Sequence, residues 1–134
     1  MSLRSRSFFS VPGLPATKGS TRSFLSRGRV VTKADCARLK PWSRDVQACA
    51  AIARIACAPK GVPVKVIVAF HLPAAKGKSS LWHQTRPDLD KLTRALLDAL
   101  TGLAYADDGQ VASLSVTKSA TSADARTDVW VEWL

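Results

Sequence analysis

The stretch PVKVIVAFHL, residues 63–72, limits what this chain can become more than any other part of it. β-Branched and nearly continuous in apolar side chains, it reads as a strand. A strand of that pattern suits a central position in a sheet with both faces covered. Two stretches can provide the cover. In PWSRDVQACAAIARIACA, which opens at Pro41, residues Trp42, Val46, Ala50, Ala53 and Cys57 recur at three- and four-residue intervals. With proline at a first helical position, the spacing predicts a helix of about four turns. In RPDLDKLTRALLDAL, residues 86–100, a second helix is predicted over 88–101. Leu89, Leu92, Ala95, Leu96, Ala99, Leu100 and Leu103 gather on one side of it, and Asp90, Arg94, Asp98 and Thr101 lie on the opposite stripe. Asp88 follows Pro87 and can accept hydrogen bonds from the first-turn amides, while Gly102 supplies a stop.

The remaining elements are β-type. Phe8, Phe9 and Val11 run into Pro12 and Gly13 as a first strand, and SFLSRGRVV reads as a hairpin turning over Ser26 to Arg29. VASLSVTKSA and RTDVWVEWL, after the turn YADDGQV, are expected to form an antiparallel carboxy-terminal pair. Residues 73–86, PAAKGKSSLWHQTR, lack periodicity and are expected to be a mobile loop. The sum is an α/β (α+β) fold, a small mixed sheet flanked by two main helices. With 134 residues and 46% apolar content it is expected to be one domain over 1–134.

Charge narrows the partners. Twenty Lys and Arg against ten acids give +10, a field suited to nucleic acid. Ten of the twenty fall in the first 44 residues, opposed there only by Asp35, so the amino-terminal third is the expected phosphate-facing surface. No apolar run approaches the length of a membrane span, and the prolines and glycine of FFSVPGLPA rule out a signal-peptide core. A cytoplasmic protein without membrane association is expected. Cys36, Cys49 and Cys57 form no C-x-x-C pair, and neither His71 nor His83 completes a zinc set, so no zinc is expected.

The scarce acids are not scattered. Asp88, Asp90, Asp98, Asp107 and Asp108 make up half of the ten carboxylates and lie between residues 88 and 108. Three readings compete for Asp88 and Asp90. They can cap the helix and favour its macrodipole. They can be solvated surface, with Asp90 and Arg94 as an i,i+4 pair. Or they can be ligands of a hard divalent cation such as Mg²⁺, which takes carboxylate, water and phosphate oxygens and serves enzymes that cut phosphodiesters. Composition favours the third, because clustered anions would repel a polyphosphate substrate unless a cation stood between them.

The segment RPDLDKLTRALLDALTGLAYADDGQV, Arg86 to Val111, resembles the core signature of the RusA family of Holliday-junction resolvases, metal-dependent endonucleases often encoded by phages and prophages. More loosely, VPGLPATKGSTR is similar to the family's early G-x-P-x-x-K segment, and Trp42 to its aromatic at the start of the first long helix. The resemblance implies a compact α/β homodimer that binds four-way DNA junctions and cuts two opposing strands with Mg²⁺, or Mn²⁺ as substitute, and with no organic cofactor. It would work in the bacterial cytoplasm, or in that of the host if phage-encoded. Carried over position by position, it makes Asp88, Asp90 and Asp108 the catalytic, metal-holding acids, ranks Asp107 next and gives Asp98 a structural role. Lys91 stands where the family usually has Asn, and Arg94 where it often has a functional lysine. Arginine stays protonated and can grip phosphate, whereas a lysine can exchange a proton.

On this reading Arg94 offsets charge on the phosphoryl oxygens, and Lys18, Arg22, Arg27, Arg29 and Lys91 hold DNA through its phosphates. Trp130 and Trp133 are candidates for either core or an apolar patch, and Trp82 and His83 for contacts to base or phosphate near the site. Two alternatives stay open: a nuclease of the same type acting on flaps or forks, and a non-catalytic basic nucleic-acid-binding protein.

Overall fold

A computed structural model describes residues 5–19, 22–26, 29–33, 37–74 and 81–134, with backbone alone for 22–26 and 29–33. Its elements in chain order are β1 (Arg6–Pro12), β2 (Arg22–Ser26), β3 (Arg29–Lys33), α1 (Leu39–Ile52), β4 (Val64–Pro73), α2 (Leu89–Leu100), β5 (Val111–Thr121) and β6 (Arg126–Trp133), with a 3-10 turn at Asp108–Gln110 before β5. The main sheet has four strands in the order β1-β6-β4-β5, and β2 and β3 pair antiparallel as a separate hairpin. A mixed sheet with two helices is the α+β architecture that the sequence predicts.

The run at 63–72 is indeed interior, with β6 antiparallel on one side and β5 parallel on the other. Only one of its faces is sealed, however. Val64, Val66, Val68, Phe70 and Leu72 are buried, while Lys65, Ile67, Ala69 and His71 alternate with them half-buried. The sealed face continues through Phe9 and Val11 of β1 and through Thr127, Val129 and Val131 of β6. Against it lie Trp42, Val46 and Ala50 of α1 and Leu92, Ala95, Leu96, Ala99 and Leu100 of α2, in one core cluster. On the opposite face Phe8 and Trp130 set their rings 5.0 Å apart, while Trp133 packs against the core.

The carboxy-terminal strands do not pair with each other as expected. The chain leaves β4, returns through α2, and lays β5 parallel to β4 at the sheet edge, as a helical crossover allows. Residues 122–125 then carry it to the other side of β4, where β6 slots between β4 and β1. Side chains explain the placing. β6 has apolar residues for both faces, whereas Ser113, Ser115, Thr117 and Ser119 give β5 a polar face that an edge tolerates.

α1 also differs at its ends from the prediction. It begins two residues before Pro41, which sits in the first turn where a missing N–H costs nothing. It stops at Ile52, followed by Arg54 at φ 52°, so Ala53 and Cys57 leave the apolar stripe and are exposed. Among the described residues no helix is long and apolar enough to cross a membrane.

Candidate metal and phosphodiester site

α2 orders the candidate site. Its buried face anchors it in the core, and Gly102 at φ 89° ends it. Asp88 occupies the N-cap position in extended backbone, yet its side chain makes no capping hydrogen bond. Among the described residues its ion-pair partner is the Lys91 ammonium at 3.8 Å. The Asp90 side chain, on the exposed stripe, forms no hydrogen bond or ion pair among the described residues, and neither does that of Arg94 one turn on. The capping reading and the Asp90–Arg94 pair are therefore not what the structure forms. Beside Asp88 opens a cleft of about 510 Å³ lined by Thr17, Arg86, Pro87, Asp88 and Lys91. Two cations thus share the cleft with one carboxylate.

The second acidic pair is engaged quite differently. Asp107 Oδ1 accepts from the Gly109 amide at 3.1 Å, and that bond, helped by a hydrogen bond from Asp108, holds the Asp107 carboxyl below the usual range. Asp108 is raised by the same side-chain bond and by the charges of Asp107 and Asp98. Gln110 clamps the turn from below. Its Oε1 accepts from the amides of Ala106 and Asp107 at 2.9 Å each, and its Nε2 donates to the carbonyls of Pro59 and Val62 at 2.9 Å each. Tyr105, buried under the turn, donates its hydroxyl to Leu97 O at 2.7 Å, and burial pushes its pKa well above the usual range.

Asp108 feels Asp98, near the carboxyl end of α2. At 1.5 Å per residue, Asp98 lies about 12 Å along the axis from Asp90. The two pairs thus flank α2, and among the described residues no three His, Cys, Asp or Glu side chains converge as a metal cluster. Asp98 itself is taken by Lys18, whose ammonium pairs with it while the Lys18 amide donates to Lys91 O at 3.1 Å. The loop bearing Lys18 is thereby laid across α2. Arg27 lies outside the described residues, as do the side chains of Arg22 and Arg29.

The profile of the endodeoxyribonuclease RusA family matches residues 12–132, from the end of β1 through nearly all of β6 and across both acidic pairs. The chain belongs to that family. It is also 31% identical over 122 residues to the protein YqaN of Bacillus subtilis (strain 168), itself described as uncharacterized, an alignment covering 82% of this chain and 84% of that one.

Within this RusA-family chain, residues 81–87 depart from the free loop that composition predicts. They run along the edge of β5: the Trp82 backbone bridges to Ser119, the His83 amide donates to Lys118 O at 3.0 Å, and the Ala120 amide donates to Leu81 O at 2.9 Å. Trp82 remains about half exposed. Burial, then the Lys118 charge, push His83 below its usual pKa against a bond with the Thr85 backbone, so its ring favours the neutral form. Sequence reasoning missed two contributors. Arg86 belongs to the quoted signature, and its place in the cleft follows only from the strap. Lys118, half-buried on β5, has partners more than 30 residues upstream, so no local pattern reveals it.

Proposed function

We propose that this protein is a metal-dependent, structure-selective endodeoxyribonuclease that resolves Holliday junctions by paired nicks in DNA recombination and repair. The observation that carries the reading is that Asp90 has no side-chain partner among the described residues and Asp88 has only a 3.8 Å contact with the Lys91 ammonium. Both stand where carboxylates usually cap or pair, and neither side chain caps the helix. A hard divalent cation suits them, since Mg²⁺ is held by one or two carboxylates and completes its shell with waters and substrate phosphate. Mg²⁺, or Mn²⁺ in its place, would polarise the scissile phosphate and lower the pKa of the attacking water.

Asp88 and Asp90 would hold that ion; Asp108, beside Asp107 and Asp98 toward the other end of α2, would join them as a third carboxylate only after a rearrangement of its turn. Arg94, unpaired among the described residues and one turn from Asp90, would offset charge growing on the phosphoryl oxygens. Arg86 and Lys91 would seat the substrate phosphate in the cleft they line with Asp88. The remaining positive charge, including Arg22, Arg27 and Arg29, would hold the junction arms through phosphates, contacts that weaken steeply with salt. Lys18 would join them only by releasing Asp98. A homodimer would present two such sites to opposing strands of a junction with approximate two-fold symmetry.

The test is a panel of labelled four-way junctions, flaps and forks given to the wild type, Asp88→Asn and Asp90→Asn with Mg²⁺. Paired nicks in the four-way junction are expected from the wild type, with cutting lost and binding kept in both variants. Undiminished cutting by either variant removes that residue from the site. Faster cutting of flaps or forks reassigns the substrate, and binding without cutting by the wild type in Mg²⁺ and Mn²⁺ leaves a nucleic-acid-binding protein.

A further inference from the structure

The segment that delivers Asp88 to the head of α2 is held by one side chain from a distant strand. The Lys118 ammonium donates to the carbonyl of Thr85 at 2.6 Å and to that of Pro87 at 2.8 Å. Register places Lys118 opposite Phe70, on the sheet face that α2 covers, and there its stem is half-buried. The backbone pairing of residues 81–83 with β5 ends at Lys118 O, so over the next four residues the ammonium takes over from the ladder. Pro87 O belongs to the residue immediately before Asp88. Asp88 makes no capping bond that would hold it from the helix side, and it lines the cleft. Charge-assisted bonds to two carbonyls of one short segment fix both its distance from β5 and its direction.

We infer that Lys118 is a positioning residue for the metal site: its ammonium clamps residues 85–87 onto β5 and so sets where the Asp88 carboxylate stands, without itself touching metal or DNA. The inference rests on the proposed nuclease reading. It differs from the roles of Arg86, Lys91 and Arg94, which address phosphate. Removing Lys118 loosens the strap and lowers metal affinity, while leaving the cleft cations and the affinity for junction DNA in place. Loss of a group that orients a metal ligand typically weakens metal binding or activity by about 10- to 100-fold.

Three measurements on the full chain test this, with Lys118→Met, which keeps the apolar stem, and Lys118→Arg, whose fork can still donate to both carbonyls. In Lys118→Met, amide hydrogen exchange over residues 81–92 is expected to quicken by about tenfold or more, with α1 and β6 unchanged. The Mn²⁺ dissociation constant, followed by electron paramagnetic resonance without DNA, should rise by about 10- to 100-fold. Junction cleavage should need correspondingly more Mg²⁺ and recover at high Mg²⁺, while metal-free junction binding stays within about twofold. Lys118→Arg should restore most of each. Unchanged exchange over 81–92, or exchange quickened equally throughout the chain, overturns the inference. So does a loosened strap with unaltered Mn²⁺ affinity, or wild-type protein that takes up no Mn²⁺. Wild-type protein that binds Mn²⁺ but cuts no branched DNA sinks the nuclease reading instead, and leaves Lys118 to be decided by exchange and Mn²⁺ affinity.

Discussion

Asp88 and Asp90 at the head of α2 and Asp107 and Asp108 after its end are two aspartate pairs of nearly the same chemistry held in opposite ways. The second pair is built into its own turn: Asp107 takes the Gly109 amide, Asp108 lies beside Asp107 and bonds to it when one of the two carboxyls carries a proton, and Gln110 bolts the turn to the segment at 58–62. The first pair sits at a helix N-terminus, where a carboxylate ordinarily earns a capping bond, and makes none. Clustering of acids alone therefore does not locate the chemistry. What separates a ligand from a brace is whether the structure already employs the oxygens.

The comparison breaks most visibly on activity. Asp90→Ala is expected to lower single-turnover junction cleavage by about 1,000-fold, the scale of a few kcal/mol of lost charge stabilisation, with a melting temperature equal to that of the wild type. Asp107→Ala should reverse the pattern, melting earlier than the wild type as the turn loses its cap, with a smaller fall in rate. Equal rate losses from both variants would erase the distinction. Arg94 sharpens it on the first pair's side. Arg94→Ala should cost about 100-fold in cleavage. Arg94→Lys compared across pH then separates charge from proton transfer: a profile unchanged in shape assigns charge alone, and a new basic limb assigns proton exchange.

Gln110 sharpens it on the second pair's side. Four hydrogen bonds at 2.9 Å converge on this one amide from two segments. Gln110→Ala should lower stability by about 2 kcal/mol in urea unfolding, since net contributions near 1 kcal/mol per bond do not add fully in a network. A loss below about 0.5 kcal/mol would mean that the turn does not depend on it.

How far the sequence could be read follows from the range of each interaction. The apolar stripe of α2, the stop at Gly102 and the interior place of residues 63–72 were legible, because periodicity and turn chemistry are local. The signature from Arg86 to Val111 marked both acidic pairs for the same reason, and even its Gln proves to be the clamp of the turn. The pairing of β5 and β6 was not legible. Adjacent strands in sequence usually neighbour each other, and only the inserted position of β6 between β1 and β4 defeats that expectation here. Nor was the strap at 81–87, whose composition is that of a loose loop and whose order comes from β5. Lys118 reads in sequence as one more strand cation. Which acids cap was likewise invisible, because Asp88 and Asp107 both look like caps and only three-dimensional contacts separate them.

The smallest expected effect lies in the titration of the second pair, where the sign can be worked out. Asp107 is held below the ordinary carboxylate value, chiefly by the Gly109 amide, so its contribution to stability is present above that value and is lost as pH falls through its folded pKa. Asp108 is raised by its bond to Asp107, so its contribution is present below the ordinary value and is lost as pH rises through its folded pKa. Across the carboxylate range the two oppose each other, and both groups are exposed, which leaves the net pH dependence of folding small. Carboxyl-carbon NMR resolves what unfolding would blur. Two steps are expected, Asp107 losing its proton first and Asp108 later. Asp108→Asn should keep the hydrogen bond through its amide at every pH and remove the upper step. If both carboxyls instead titrate together at the ordinary value, the bond between them is not formed in solution. Asp108 would then be as unengaged as Asp90, and the difference between the two pairs would narrow to Asp107 alone.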